Sequence, residues 1–133
     1  MMTEENIKHW KSKGISVNDG ASNEKIENLE KQIDFNFPED FIFFYRSLNG
    51  FKDRDWTPNL FSLFPIDRIK EEYEHKQNEN NFVPICEYLI SSHHLGYIKG
   101  KKGIFKDYQQ FEKICDNLIE LMTLIEEDSD KIY

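Results

Sequence analysis

The sequence contains little of what secreted or membrane-spanning proteins need. Only two cysteines occur in 133 residues, which is too few for the disulfide framework of a small secreted domain. No run approaches the roughly 20 apolar residues of a membrane span. Residues 1–5 are acidic or polar, with no apolar run behind them, so we expect no signal peptide. We therefore expect a cytoplasmic protein that has no membrane partner.

Positive charge is also scarce. The chain carries 17 Lys and Arg against 25 Asp and Glu, for a formal net charge of -8. A nucleic-acid binder needs a basic surface that releases counterions from phosphates. The only basic cluster, at 99–102, lies between glycines and is typical of a solvated hairpin turn. We therefore predict no nucleic-acid partner, whereas a basic protein would be attracted to this chain.

Aromatic side chains are abundant, with 11 Phe, 6 Tyr and 2 Trp. Each buries roughly 150–250 Å², so these residues can build a core although hydrophobic residues make up only 38% of the chain. A chain of this length suits one ordinary domain. No linker or repeat divides it, and we predict a single domain over residues 1–133.

Apolar spacing predicts three helices in the first half of the chain. The first covers 3–14 and the second covers 22–33. The third begins at Pro38, which suits the first helical position, and ends at Asn49 and Gly50, which would supply a left-handed stop. Its apolar face repeats at i, i+3, i+4 and i+7, through Phe41, Phe44, Tyr45 and Leu48.

The second half is predicted to be mostly strands. Strand patterns cover 60–64, 82–86, 88–90, 95–98 and a return strand from Ile104, and a short helix covers 66–75, followed by a loop at 77–81. Pro84 would suit a sheet edge or a strand end. We predict a long last helix over 107–126, with Asp107 as its cap. The order indicates an α+β fold, in which helices cover a central, mostly antiparallel sheet.

Histidine and cysteine could carry chemistry, but the sequence favours structural roles for them. Adjacent strand residues such as His93 and His94 point to opposite faces, so we predict loop or strand-edge histidines and no shared metal. Cys86 and Cys115 fall within apolar patterns, which is typical of buried, unreactive thiols. We predict no metal, no cofactor and no catalytic residue.

Two polar segments are candidates for contact with a partner. Trp56 lies in a charged loop, and tryptophan is enriched at interface hot spots, although a loop tryptophan can also fold back onto the core. Glutamates on the 66–75 helix show no sign of an acid/base pair across a cleft and are typical of a solvated helix face. The candidate partner-binding residues are Asp53, Asp55, Trp56, Glu71 and Glu72.

Residues 15–51 carry a linked series of motifs. An amphipathic helix over 26–33 is followed by Phe37 and Pro38, a second helix with Tyr45, and a closing Asn49-Gly50. This series resembles the signature of the SUKH superfamily, which includes the Smi-one/Knr-four family, named for a fungal regulator of cell-wall glucan synthesis. Residues 82–85 resemble the family's later strand, and the segment from 111 onward resembles its C-terminal helix.

The resemblance implies an α+β fold and a protein-binding module that is not an enzyme. Many bacterial members look like immunity proteins, which bind and neutralise a toxin, often a nuclease with a basic cleft that would attract an acidic inhibitor. The alternative is a regulatory or scaffold protein that binds several cellular partners. An unrecognised enzyme is a third hypothesis, which a deep pocket lined by His93 or His94 and carboxylates would favour.

Overall fold

The computed structural model describes residues 2–75, 81–89, 92–108 and 110–133, so the predicted loop at 77–80 and the predicted strand residue Ile90 lie outside it. The helices are α1 (Met2–Ser12), α2 (Asn23–Ile33), α3 (Glu39–Ser47), α4 (Ile66–His75) and α5 (Leu118–Glu126). The strands are β1 (Val17–Asp19), β2 (Leu48–Phe51), β3 (Phe61–Leu63), β4 (Phe82–Tyr88), β5 (His93–Ile98), β6 (Ile104–Asp107) and β7 (Phe111–Cys115). Short 3-10 turns cover Lys52–Arg54 and Asp130–Ile132.

The strands form two antiparallel groups. β1 pairs with β2 in a ribbon, and β3 to β7 form a five-stranded sheet in which each strand pairs with the next along the chain. α2 packs on α3 and α4, α4 packs on β4, and α5 packs on α3 and β7. The predicted α+β class is confirmed.

The sequence patterns of α2 and α3 explain how both helices pack. The Ser22 hydroxyl accepts the Lys25 N–H at 3.1 Å and caps α2. Pro38 stands one residue before α3 in an extended conformation and not inside the helix. The predicted apolar face of α3 is confirmed for Phe41, Phe44 and Tyr45, which are 0% exposed. The fourth predicted residue, Leu48, is also 0% exposed but lies in β2.

The predicted helix stop at Asn49 and Gly50 is wrong. α3 ends at Ser47, Leu48 is extended, and the chain enters β2 with no left-handed residue between them. Asn49 instead accepts the buried Ile66 N–H through Oδ1 at 2.8 Å. Gly50 has a φ of 68°, and a Cβ there would lie 2.4 Å from the Phe64 carbonyl carbon. These two residues therefore join β2 to the segment between β3 and α4.

The strand region differs from the prediction in three places. Residues 82–88 form one strand, because β4 runs unbroken through the predicted gap. Pro84 lies inside β4 beside a register shift between Pro84 and Cys86, and such an irregularity tolerates its missing N–H. His93 and His94 are neither loop nor edge residues, since both lie in the interior strand β5 and are 5% exposed.

The prediction of a long last helix is also wrong for the first half of that segment. Asp107 ends β6, residues 111–115 form the edge strand β7, and only 118–126 is helical. Asn117 caps α5 by accepting the Glu120 N–H at 2.9 Å, while Glu120 accepts the Asp116 N–H at 2.9 Å. The cap of the last helix is therefore Asn117 and not the predicted Asp107. None of the helices in the described residues is long and apolar enough to cross a membrane.

Asn49→Ala should destabilise the fold, because it leaves the buried Ile66 N–H without its acceptor. We expect a loss of about 1–3 kcal/mol in the free energy of unfolding, measured by urea denaturation. Asn28→Ala on the exposed face of α2 is the matched control and should stay within about 0.5 kcal/mol of the wild type. Equal losses in both variants would contradict the role assigned to Asn49.

His93 should make stability fall on acidification. Burial lowers its pKa, and its Nε2 donates to the Ile132 carbonyl at 2.8 Å. As pH falls below about 6.5, the unfolded chain binds a proton that the folded chain binds only at lower pH, so the free energy of unfolding decreases. In His93→Gln, whose amide can still donate to Ile132, urea denaturation between about pH 7 and pH 5 should show a shallower decline. Parallel declines in the two proteins would refute this role.

Candidate partner-binding cleft

A cleft of about 660 Å³ lies between the β1–β2 ribbon, the turn Lys52–Arg54 and the first turns of α2 and α4. Its acidic lining residues are Asp19, Asp53, Asp67 and Glu71. Its basic lining residues are Lys25, Lys52, Arg54 and Arg68. The described lining is therefore balanced in charge although the whole chain is acidic.

The five sequence-predicted contact residues divide between this cleft and other places. Asp53 and Glu71 both line the cleft, and both are exposed. Asp55, Trp56 and Glu72 are not among its lining residues. The structure thus brings together one residue from each of the two predicted segments.

An unusual backbone conformation places Asp53 on the cleft wall. Asp53 and Arg54 have φ values of 55° and 60°, in the left-handed region that residues other than glycine rarely adopt. Each such residue costs of order 1 kcal/mol, and such strain clusters at functional sites. The turn places two exposed side chains of opposite charge side by side on the cleft wall.

Asp55 fixes the base of this turn. Its carboxylate accepts the Ser16 N–H at 2.8 Å and the Trp56 N–H at 3.0 Å. Its carbonyl accepts the Ser62 hydroxyl at 2.8 Å. Asp55 therefore holds the turn against β3 and the segment before β1.

Trp56 is half-buried, which is compatible with both interpretations that the sequence left open.

Glu72 faces a buried ionic cluster and not the solvent. Its carboxylate lies 3.7 Å from the Nε of Arg68 and 3.5 Å from the Nε2 of His94. The predicted solvated face of α4 therefore holds for Glu71 and Glu74, which are exposed, but not for the half-buried Glu72.

Arg68 and Glu87 are functional candidates that sequence reasoning missed. Arg68 is 7% exposed and Glu87 is 4% exposed, and their side chains pair at 2.8 Å. The Arg68 guanidinium also lies 4.1 Å from the centre of the Phe64 ring. Arg68 forms part of the cleft wall, so this pair fixes α4 and its cleft-lining carboxylates against β4. The available signal was an arginine that stands between Ile66 and Ile69 and a glutamate inside a strand.

Two observations bear on the metal and nucleophile hypotheses. They contain no group of three or more His, Cys, Asp or Glu side chains placed to hold a metal ion. Burial raises the pKa of Cys86 well above its usual range, and burial raises the pKa of Cys115 to about 12. Both thiols are therefore protonated near neutral pH and are poor nucleophiles.

Glu87→Leu should destabilise the protein strongly, because it leaves the buried guanidinium of Arg68 without its closest anion. Removing one partner of a buried ion pair costs about 3–5 kcal/mol. Adding Arg68→Met in the same chain should recover part of that loss. Urea denaturation of the two single variants and the double variant measures the coupling, and strictly additive losses would show that the pair is not coupled.

The comparisons with known proteins agree with this architecture. Residues 20–123 match a model of the family described as SMI1 / KNR4 family (SUKH-1). The matched range contains the Asn49-Gly50 motif, the Arg68–Glu87 pair and all of the cleft lining except Asn18 and Asp19. A search of curated proteins finds no match. Since the family match covers most of the chain, the chain belongs to the SMI1 / KNR4 family (SUKH-1).

Proposed function

We propose that this chain is a protein-binding module of the immunity type, which neutralises a basic toxin domain by contact and has no catalytic activity of its own. Family membership supports a protein partner in general. The observation that carries the proposal is the cleft, in which Asp53 and Glu71 are exposed from separate segments of the chain.

The cleft carboxylates are available to an incoming cation. Among the described residues, the side-chain carboxylates of Asp53 and Glu71 make no hydrogen bond or ion pair, and the carboxylate of Asp67 has only a 3.7 Å contact with Lys25. Interfacial side chains that are already on the surface and unpaired need not break internal contacts when they bind. Lysine or arginine side chains of a partner are the groups that would pair with them.

The long-range charge favours the same kind of partner. A net charge of -8 steers a basic protein toward the chain and raises its association rate, an effect that salt screens. The balanced lining of the cleft adds selectivity, because Lys52 and Arg54 repel a partner that presents only positive charge at their positions. We therefore expect a partner surface that is basic overall and carries acidic residues opposite this turn.

Reversing the cleft charges should weaken binding. In Asp53→Lys/Glu71→Lys, we expect toxin affinity to fall by about tenfold or more, because rim and cleft charges set specificity at such interfaces. The assay is co-expression with a panel of toxin domains, scored by growth rescue, followed by titration calorimetry at low and high salt with any toxin that is rescued.

Glu4→Lys/Glu5→Lys is the matched control, because these exposed residues of α1 lie away from the cleft lining and change the net charge by the same amount. Thermal unfolding of each variant checks that it folds. Equal losses in the two double variants would show that only net charge matters and would remove the cleft from the proposal. Stable association with several host proteins, and with no toxin, would favour the regulatory or scaffold alternative.

A further inference from the structure

A second surface stands out because large apolar side chains lie exposed on it. Among the described residues, Leu89 is 43% exposed, Tyr108 is 59% exposed and Tyr133 is 39% exposed. Leu89 follows β4 and Tyr108 follows β6, so both lie at the same end of the sheet as the start of β5. We name Tyr88, Leu89, Tyr108 and Tyr133 the tyrosine surface.

The rings of this surface form a continuous series. Phe61 and Tyr133 have ring centres 5.6 Å apart, and Tyr133 and Tyr88 are 5.1 Å apart. The series continues from Tyr88 to His93 at 5.2 Å and from His93 to Tyr108 at 5.7 Å. Phe61 and His93 are buried, whereas the tyrosines reach outward. The exposed rings therefore rest on a packed aromatic base.

Polar contacts hold Tyr133 and the buried His93 in place. The Tyr133 hydroxyl donates to the Asp128 carboxylate, and Lys106 donates through Nζ to the Tyr133 carbonyl. Beneath them, His93 donates to the carbonyl of Ile132, whose side chain is 0% exposed. A ring held in this way, as that of Tyr133 is, loses little conformational entropy on binding, which is a property of tyrosine-rich binding surfaces.

The charge beside the tyrosine surface is mainly negative. Asp128 and Asp130 are exposed next to Tyr133, and Asp107 precedes Tyr108. Lys106 is offset by Glu112, whose carboxylate lies 3.4 Å from its Nζ. Lys131 lies along a separate groove between β7 and α5. A negative rim around exposed π-faces disfavours nucleic acid and favours a cation that can stack on a ring.

We infer that the tyrosine surface is a docking site for an arginine-bearing, apolar-flanked segment of a protein partner. The guanidinium would lie over Tyr108 or Tyr133, with the aspartates beside it, and the flanking apolar side chains would cover Leu89 and Tyr88. This inference rests on the proposed protein-binding function, but it concerns a surface outside the charged cleft.

The test uses a displayed library of short random peptides, selected on the immobilised full chain. We expect enrichment of peptides with an arginine between apolar residues. Replacing that arginine by citrulline in a synthetic copy should weaken binding by about tenfold, because the cation is lost while the shape is retained. Tyr108→Ala should weaken the arginine peptide by a similar factor, and Tyr108→Phe should retain most of the affinity.

Phe43→Ala is the matched control, since Phe43 is a 46% exposed aromatic side chain on α3, outside the tyrosine surface. It should leave peptide affinity unchanged, and thermal unfolding should confirm that both alanine variants fold. Selection of acidic peptides, equal binding to Tyr108→Ala, or the absence of any enrichment would overturn the inference. A homodimer that Tyr108→Ala dissociates would also overturn it, because a second copy would then be the occupant.

The peptide assay separates this inference from the proposed function. If the cleft variants abolish toxin rescue while the wild-type chain enriches no arginine peptide, the proposed function stands and the docking site does not. If peptides bind as expected but no toxin is ever rescued, the docking site stands and the immunity role fails.

Discussion

The structure depends on the buried contacts that α3 and β2 make with the segment that joins β3 to α4. The Tyr45 hydroxyl donates to the Phe64 carbonyl at 2.7 Å, and Asn49 accepts the Ile66 N–H at 2.8 Å. Gly50 lets the two backbones approach so closely that no side chain fits between them. Both hydrogen bonds are buried, so no water molecule could take the place of a partner that is removed. This junction joins the helical half to the sheet and fixes the start of α4, which is one wall of the cleft.

Much of the fold was predictable from the sequence, because local rules and tertiary packing agree there. The apolar faces of α2 and α3 and the bounds of α4 follow directly from helical spacing. The segment 107–117 was not predictable by the same rule, since Phe111 and Ile114 fit a helical spacing as well as a strand. Pairing with β6, a long-range contact, decides it. The helix stop predicted at Asn49-Gly50 was wrong for a similar reason, because a motif that normally ends helices here holds two backbone segments together.

The candidate site was predictable only in part. Exposed charge in a loop and on a helix indicated Asp53 and Glu71, and the fold brings both to one cleft. Nothing in the spacing distinguishes Glu71 from Glu72, yet one faces the cleft and the other faces Arg68. The net charge of the chain also did not predict that acidic and basic residues would be equal in number in the cleft lining. Long-range attraction and local recognition are therefore separate here, since the whole surface can steer a basic partner while individual pairs select it.

The edge strand β7, which pairs only with β6 in the part of the chain that the structure describes, bears on where partners bind. An edge strand offers free backbone groups to another strand, including its own copy. If two copies of β7 paired antiparallel about a two-fold axis, residues of the two copies that lie opposite each other would both have to direct their N–H groups at the partner strand. The axis must then pass through a residue, and that residue faces its own copy. An axis at the middle of β7 therefore sets Lys113 against Lys113 or Glu112 against Glu112, and like charges directly opposite are destabilising. Like charges thus disfavour self-association through the middle of this edge strand, and the charged cleft and the tyrosine surface are the places that we propose for a partner.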